Sequence, residues 1–382
     1  MAIDKKVLNV PPLRFPEFSG EWKCTTIGNI GDIKNGPFGS VLHAEDYVEN
    51  GIPIVTTEHF KTGLMPSDKF GIPQVSNEDY IRLKGYRLET NDIVFSRVGS
   101  VDINAHVGIE QNGWLFSGRV LRVRPKYDID SLFLHYALST EAVKRDIRNR
   151  AVGQTMPSIN TPILSSTTIQ LPKDLFEQKK VAHFLRLLDE RIITQNKIIE
   201  KYESLIKGIA QNVACNNKPN IRLSECLKCS SSTLQESDVC ENGTYPVYGA
   251  NGIVGYLNNY NTEKEAVYII KDGSGVGTVS YVTGKCSATG TLNTLQAKEG
   301  YSLQYLYYML KVFNFETYKT GMAIPHIYFK DYGKAKIFCP SYTKQLKYVG
   351  LLSAIDNKLS AEQSILTDLR LQKQYLLRQM FI

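Results

Sequence analysis

Residues 178–192 read QKKVAHFLRLLDERI and residues 345–359 read QLKYVGLLSAIDNKL, so one helical phrase is written twice, 167 residues apart. Alternating steps of four and three from Val181 give Leu185, Leu188, Ile192, Gln195, Ile199, Tyr202, Ile206, Ile209 and Val213. The same walk in the second copy gives Tyr348, Leu352, Ile355, Leu359, Glu362, Leu366, Leu369, Lys373, Leu376 and Met380. All but Gln195, Glu362 and Lys373 are apolar. A spacing averaging 3.5 over about four heptads specifies a coiled-coil seam. Gln195 and Glu362 occupy the same rung, so two helices of about 33 residues, each roughly 50 Å long, are expected to pack together. That polar pair would fix their register. Lys373 within the seam and Gly350 near its start are expected to loosen the second helix. Asp174 with Glu177 reads as a capping box for the first helix; Ser341 is placed to cap the second, where Lys344 breaks the box.

The duplication continues upstream. GQTMPSI (153–159) matches GMAIPHI (321–327), SLFLHYAL (131–138) matches LQYLYYML (303–310), and DIVFSRVGS (92–100) matches AVYIIKDGSG (266–275). The chain is therefore a variable block and a helix, written twice: 1–173 and 174–214, then 215–340 and 341–382. Two repeats do not make a solenoid, but they suit a pseudo-twofold object. Within each block, short β-like runs between turn signals (IPIVTT, DIVFSRV and WLFSGRVLRVRP; then YPVYGANGIVGYL and AVYIIKDGSGVGTVSYV) precede a helical stretch, which reads as α+β.

Composition bounds the rest. The chain has 382 residues, 42% hydrophobic and 22% charged, as in an ordinary two-domain globular protein. No apolar run is long enough to span a bilayer, and MAIDKKVLNVPPLRF lacks a signal peptide's apolar core, so a cytoplasmic location is expected. The net charge of +7 is mild, and residues 1–176 are balanced; DNA binding would need local patches. Seven irregularly spaced cysteines argue against a disulfide framework. Cys226, Cys229 and Cys240 lack the nearby fourth ligand of a structural zinc site.

The chemistry-bearing stretches are few. Arg119, Arg122 and Arg124 punctuate one strand, Arg122 and Arg124 on one face and Arg119 on the other, where arginine can hold a phosphate or a guanine edge. KRDIRNR (144–150) is a basic helix end. The glycine loops NGPFGS (35–40) and KDGSGVG (271–277) match neither a phosphate-binding loop nor a dinucleotide fingerprint, and serve as turns or as close approaches to DNA. Asn9-Val10-Pro11-Pro12 is a decoy for an amino-methyltransferase motif. The six histidines (43, 59, 106, 135, 183 and 326) show no ligand spacing. No nucleophile, helicase or nuclease motif stands out, so the chain is expected to be a reader without catalysis.

The order and spacing of LPKDLFEQKKVAHFLRLLDERI, CPSYTKQLKYVGLLSAIDNKL, the GQTMPSI/GMAIPHI pair, YPVYGANGIVGY followed by KDGSGVG, and PPLRFPEFSGEW resemble the specificity (S) subunits of type I restriction–modification enzymes over essentially the whole chain. The resemblance implies two target-recognition domains separated by two conserved helices packed as an antiparallel coiled coil. Each domain would read half of a bipartite, asymmetric site in double-stranded DNA. The helices would set the gap and dock two methyltransferase (M) subunits, with restriction (R) subunits completing the complex. It implies no cofactor in this chain: S-adenosylmethionine, ATP and Mg belong to the partners.

Residues expected at DNA are Ser96, Arg97, Ser100, Asn104, His106, Arg119 and Arg122 in the first domain. In the second they are Tyr248, Asn251, Lys271, Ser274, Thr291 and Asn293. Gln154, Thr155, Pro157, Ala323, Pro325 and His326 are expected as hinges between domain and helix. Three alternatives stay open: the reader of another restriction class, a non-DNA-binding scaffold with two heads on a stalk, and an unrecognised nuclease or methyltransferase.

Overall fold

The computed structural model describes residues 9–37, 44–321 and 324–382; the end of the NGPFGS loop, His43 and Ala323 lie outside them. The chain divides into two compact units, Met1–Ile193 with Thr367–Ile382, and Thr194–Leu366. Both divisions fall inside the long helices Leu175–Cys215 and Tyr342–Gln379. Each unit is thus a β-rich head with a length of both helices, whereas the sequence reading set the helices apart from the heads.

In the first unit, strands Gly31–Asn35, Val120–Pro125, Ile93–Ser96 and Asn104–His106 form, in that order, an antiparallel sheet. The run IVFS is buried at every position, because both faces of this sheet are covered. On one face Ile93, Phe95, Leu121 and Val123 share a core with Phe133 and with Val181, Leu185, Leu376 and Met380 of the long helices. On the other, Val94, Ala105 and Val120 join Val55, Phe60, Trp114 and Phe116. The latter face packs on a small mixed sheet in which Ile52–Val55 runs parallel to Leu115–Phe116. A two-stranded ladder, Lys23–Thr26 with Thr168–Leu171, ties the two ends of the head together.

The second unit repeats this plan. Its sheet runs Leu227–Ser231, Leu292–Ala297, Glu265–Ile270, Val279–Thr283, all antiparallel. Tyr245–Gly249 runs parallel to Ser287–Ala288, and Ile221–Arg222 pairs with Lys336–Ile337. Same strand order and same parallel pair: the duplication seen in the letters is a duplication of topology, and the fold is α+β.

Every residue of both predicted seams is buried or half-buried. Within the first unit Val181 and Leu185, early in the first helix, share a core with Leu376 and Met380, late in the second, so the helices run antiparallel there. Within the second unit Gln195 Nε2 donates to Glu362 Oε2 at 2.5 Å and to its backbone oxygen at 3.0 Å. The predicted polar rung is therefore a direct hydrogen-bonded pair.

Lys373 does not loosen the seam. Its Nζ lies 2.5 Å from Asp189 Oδ1, and the Tyr136 hydroxyl donates to the other carboxylate oxygen at 2.8 Å. What reads as a polar interruption is one half of a largely buried ion pair. The second unit keeps the tyrosine part of this clasp, with the Tyr308 hydroxyl donating to Asp356 Oδ2 at 2.9 Å.

The glutamine that opens both quoted stretches has an equally repeated task. Gln178 Nε2 donates to Pro172 O (3.0 Å) and its Oε1 accepts from Asp130 N (2.9 Å). Gln345 does the same with Pro340 O (2.8 Å) and Ser302 N (2.9 Å). Asp130 and Ser302 are the N-caps of helices Ser131–Leu138 and Leu303–Lys311. Each glutamine thus bolts a head helix to a long helix and satisfies a backbone amide that burial would otherwise leave unpaired.

The capping box expected at Asp174 does not close. Asp174 accepts from Phe176 N at 2.8 Å, but Glu177 turns to Arg14 Nε (2.7 Å), Arg14 Nη2 (2.8 Å) and the Trp22 indole (3.1 Å). The segment NVPPLRFPEFSGEW is thereby strapped to the helix start; Asn9 Nδ2 donates to Gln170 Oε1 at 2.7 Å, a structural task for the NVPP stretch. At the second helix, the Lys344 amide bonds to the backbone oxygen of Ser341 at 2.8 Å.

Candidate nucleic-acid interface

In each head the strand Ile93–Ser96 or Glu265–Ile270 runs out into a glycine turn, RVGS (97–100) or KDGS (271–274). Arg97 N donates to Arg119 O, and Lys271 N to Thr291 O, both at 3.0 Å. Gly99 and Gly273 take φ of 82° and 94°. No atom lies within 4 Å of a Cβ built on either, so glycine is required here by its left-handed backbone and not by crowding.

Against each turn lies the loop predicted as a hinge. Ile159 N donates to Arg97 O (2.9 Å) and Gly99 N to Pro157 O (2.8 Å); Ile327 N donates to Lys271 O (3.0 Å) and Gly273 N to Pro325 O (3.1 Å). Each loop closes on itself through a Val152↔Ser158 or Thr320↔His326 bridge, and reaches the turn through Val98↔Ser158 or Asp272↔His326. The hinge expectation is thus corrected for the described residues. These loops are short hairpins clamped to the turns, and their hydrogen bonds go to the head sheet instead of the helices.

The result in the first unit is one surface cluster of Arg97, Arg119 and Ser100 beside a hairpin whose Gln154 and Thr155 are exposed. Arg97 is half-buried, its Nη1 donating to Gly118 O at 3.2 Å; Arg119 and Ser100 are exposed. The second unit places Lys271, Thr291 and Ser274 at the equivalent positions, with Thr291 Oγ1 2.8 Å from Thr289 Oγ1. Tyr248 is half-buried against the Tyr268 ring, and Asn251 lies exposed in its hairpin turn. Cations, hydroxyls and amides on rigid turns are the donors and acceptors that contact phosphates and base edges.

The remaining expected contact residues are buried, save His106, which is half-buried. Ser96 donates to Val98 O at 3.4 Å. Asn104 Oδ1 lies 2.7 Å from His135 Nδ1, and its amide donates to Ser139 Oγ. His106 Nε2 lies 2.8 Å from Ser131 Oγ. Arg122 is ion-paired with Asp32, and Asn293 donates to the Tyr332 hydroxyl at 3.1 Å. Because the sheet is covered on both faces, alternation sends these side chains into one packed layer or the other, where they satisfy protein groups. Burial holds His106 below its ordinary pKa and pushes His135 down to about 3, so His135 is neutral in the folded head. Sequence reasoning read His326 only as a hinge and passed over Asp272, Tyr328 and Lys330; aligning DIVFSRVGS with AVYIIKDGS at their offset of 174 would have brought Asp272 into view.

Nothing in the cluster is arranged as nucleophile, base and orienter. Among the described residues no group of three or more His, Cys, Asp or Glu side chains is placed to hold a metal ion. Burial pushes the Cys226 and Cys229 thiols up to about 12 and about 11, and Cys240 is exposed. No helix among the described residues is long and apolar enough to cross a membrane.

Two heads of one topology, each presenting a basic glycine turn and each built onto lengths of both long helices, define an internally duplicated two-headed protein. The chain belongs to the type I restriction modification DNA specificity domain family, whose model matches residues 19–204 and again 220–370. It is 28% identical over 185 residues to a putative type I specificity subunit of Mycoplasma pneumoniae, covering 44% of this chain and 48% of that protein. With the MjaVIII type I restriction enzyme specificity subunit of Methanocaldococcus jannaschii it shares 26% over 201 residues, 50% of this chain and 45% of that one. The matches thus span about half the length of these two relatives. A crystal structure of a type I restriction–modification S subunit from M. genitalium shares the fold, with a TM-score of 0.66 at 19% identity over 98% of this chain and 99% of that one.

Proposed function

We propose that this chain is the non-catalytic DNA-reading subunit of a type I restriction–modification complex, acting in the cytoplasm. Each head reads one half of a split, asymmetric duplex site, and the long helices set the gap and carry methyltransferase subunits. Restriction subunits complete the assembly, and S-adenosylmethionine, ATP and Mg act in those partners. The observation that supports this reading most is the same glycine turn and clamped hairpin in both heads, with a cation at the same place (Arg97, Lys271) and different side chains around it. A duplicated scaffold with diverged surface residues is what reading two different half-sites requires.

The test is single-molecule sequencing of DNA from cells that express this chain with its methyltransferase subunit, against cells lacking this chain. Methyladenine confined to two short half-sites around a fixed gap is expected. Exchanging residues 216–340 for those of a relative should change one half only. Methylation that is the same without this chain refutes the proposal and leaves the two-headed scaffold as the reading.

A further inference from the structure

The repeated turn-and-hairpin supplies an internal comparison, because its backbone bonds are the same in both heads while its side chains differ. Where the first unit has Val98 facing Ser158 across the bridge, the second has Asp272 facing His326. His326 Nδ1 lies 2.6 Å from Asp272 Oδ1, and both side chains are about a third exposed (35% and 37%). A carboxylate only accepts, so Nδ1 carries the hydrogen of that bond and Nε2 is the ring's remaining hydrogen-bonding atom.

Two residues on, Tyr328 is exposed and its ring stacks with the imidazole at 22° and 6.5 Å; Lys330 Nζ lies 5.2 Å from the Tyr328 ring centroid. The corresponding residues in the first unit are Ser158, Asn160 and Pro162. Asn160 is occupied as a helix cap, accepting from Ile163 N at 3.0 Å. The first unit therefore offers a small neutral edge where the second offers an oriented imidazole, an aromatic ring and a cation in a row.

We infer that His326, oriented by Asp272 and flanked by Tyr328 and Lys330, is a specificity-determining contact to DNA in the second head, with no counterpart in the first. The inference rests on the DNA-reading function proposed above. Asp272 is a positioning residue: it fixes the ring so that Nε2 meets one hydrogen-bonding group on a base edge, and Lys330 neutralises phosphate beside it.

The test uses the methylation readout with the full chain and its methyltransferase subunit. Asp272→Val with His326→Ser gives the second head the side chains of the first. This variant should relax one or two positions of one half-site by about tenfold in discrimination. The other half and the gap should stay unchanged. Asp272→Asn should relax the same positions less, and Lys330→Ala should lower methylation at all sites alike and reduce its salt sensitivity. An unchanged motif in Asp272→Val/His326→Ser and in His326→Gln, both with wild-type melting temperatures, overturns the inference while the reading function stands. A wild-type chain that confers no split motif overturns both.

Discussion

Replacing Lys373 by Met tests whether the clasp at the first head is held by charge or by packing. The Asp189 side chain is 12% exposed and that of Lys373 27%, so the pair lies between a buried and a surface ion pair. Removing one partner of a fully buried pair costs about 3–5 kcal/mol, and surface pairs contribute about 0–1. The partial exposure of Lys373, and the bond that Tyr136 still donates to Asp189, place the loss at about 2 kcal/mol. For a unit of this size that is a fall of about 4–8 °C in its melting temperature. The second unit carries the arrangement without the lysine, since Ile206 stands where the first has Lys373 while Asp356 keeps its bond from Tyr308. Asp189→Asn with Lys373→Met removes both charges while the new amide oxygen can still accept from Tyr136, and is expected to recover at least half of the loss. Thermal and urea unfolding of the wild type, Lys373→Met, Asp189→Asn and the double variant forms a double-mutant cycle that measures the coupling. A Lys373→Met loss below about 0.5 kcal/mol, or a double variant as unstable as the sum of the singles, refutes the electrostatic account.

Two further outcomes follow from buried groups. His135 is neutral when folded and titrates near its ordinary value when unfolded, so below about pH 6.5 the unfolded chain binds the extra proton; stability is full above that pH and falls as pH drops toward 3. Between pH 7.5 and pH 5 the first unit should lose about 2 kcal/mol, and His135→Gln should flatten that dependence; an equal slope in the variant's urea unfolding would count against it. Gln195→Leu with Glu362→Leu should leave melting unchanged or raised while letting the helices slip, because an apolar rung fits several registers. Disulfide trapping between cysteines placed on the two helices reads this, and a single unchanged register would show that the polar pair does not set it.

The sequence alone determined the plan. Val181 to Val213 and Tyr348 to Met380 repeat at 3.5 residues, and that period is a property of neighbours along the chain. Duplicated motifs at nearly constant offsets likewise announced two heads of one topology. That Arg119, Ser100 and Ser274 are exposed, with Arg97, Lys271 and Thr291 half-buried, was legible because glycines and strand ends mark where a chain turns at a surface.

Only the tertiary structure decided which polar residues face out. Ser96, Asn104, His106, Arg122 and Asn293 lie on strands that look half-exposed by composition, yet their sheet is covered on both faces, and no local pattern records a second layer contributed by distant strands. In the same way Lys373 reads as a flaw until Asp189 and Tyr136, far away in the chain, are brought against it. The Asp272–His326 pair spans 54 residues and exists because two loops are clamped by backbone hydrogen bonds that a sequence does not display. Periodicity is local and survives in the letters; the partner of a buried charge or an oriented ring is set by long-range packing, which the fold alone supplies.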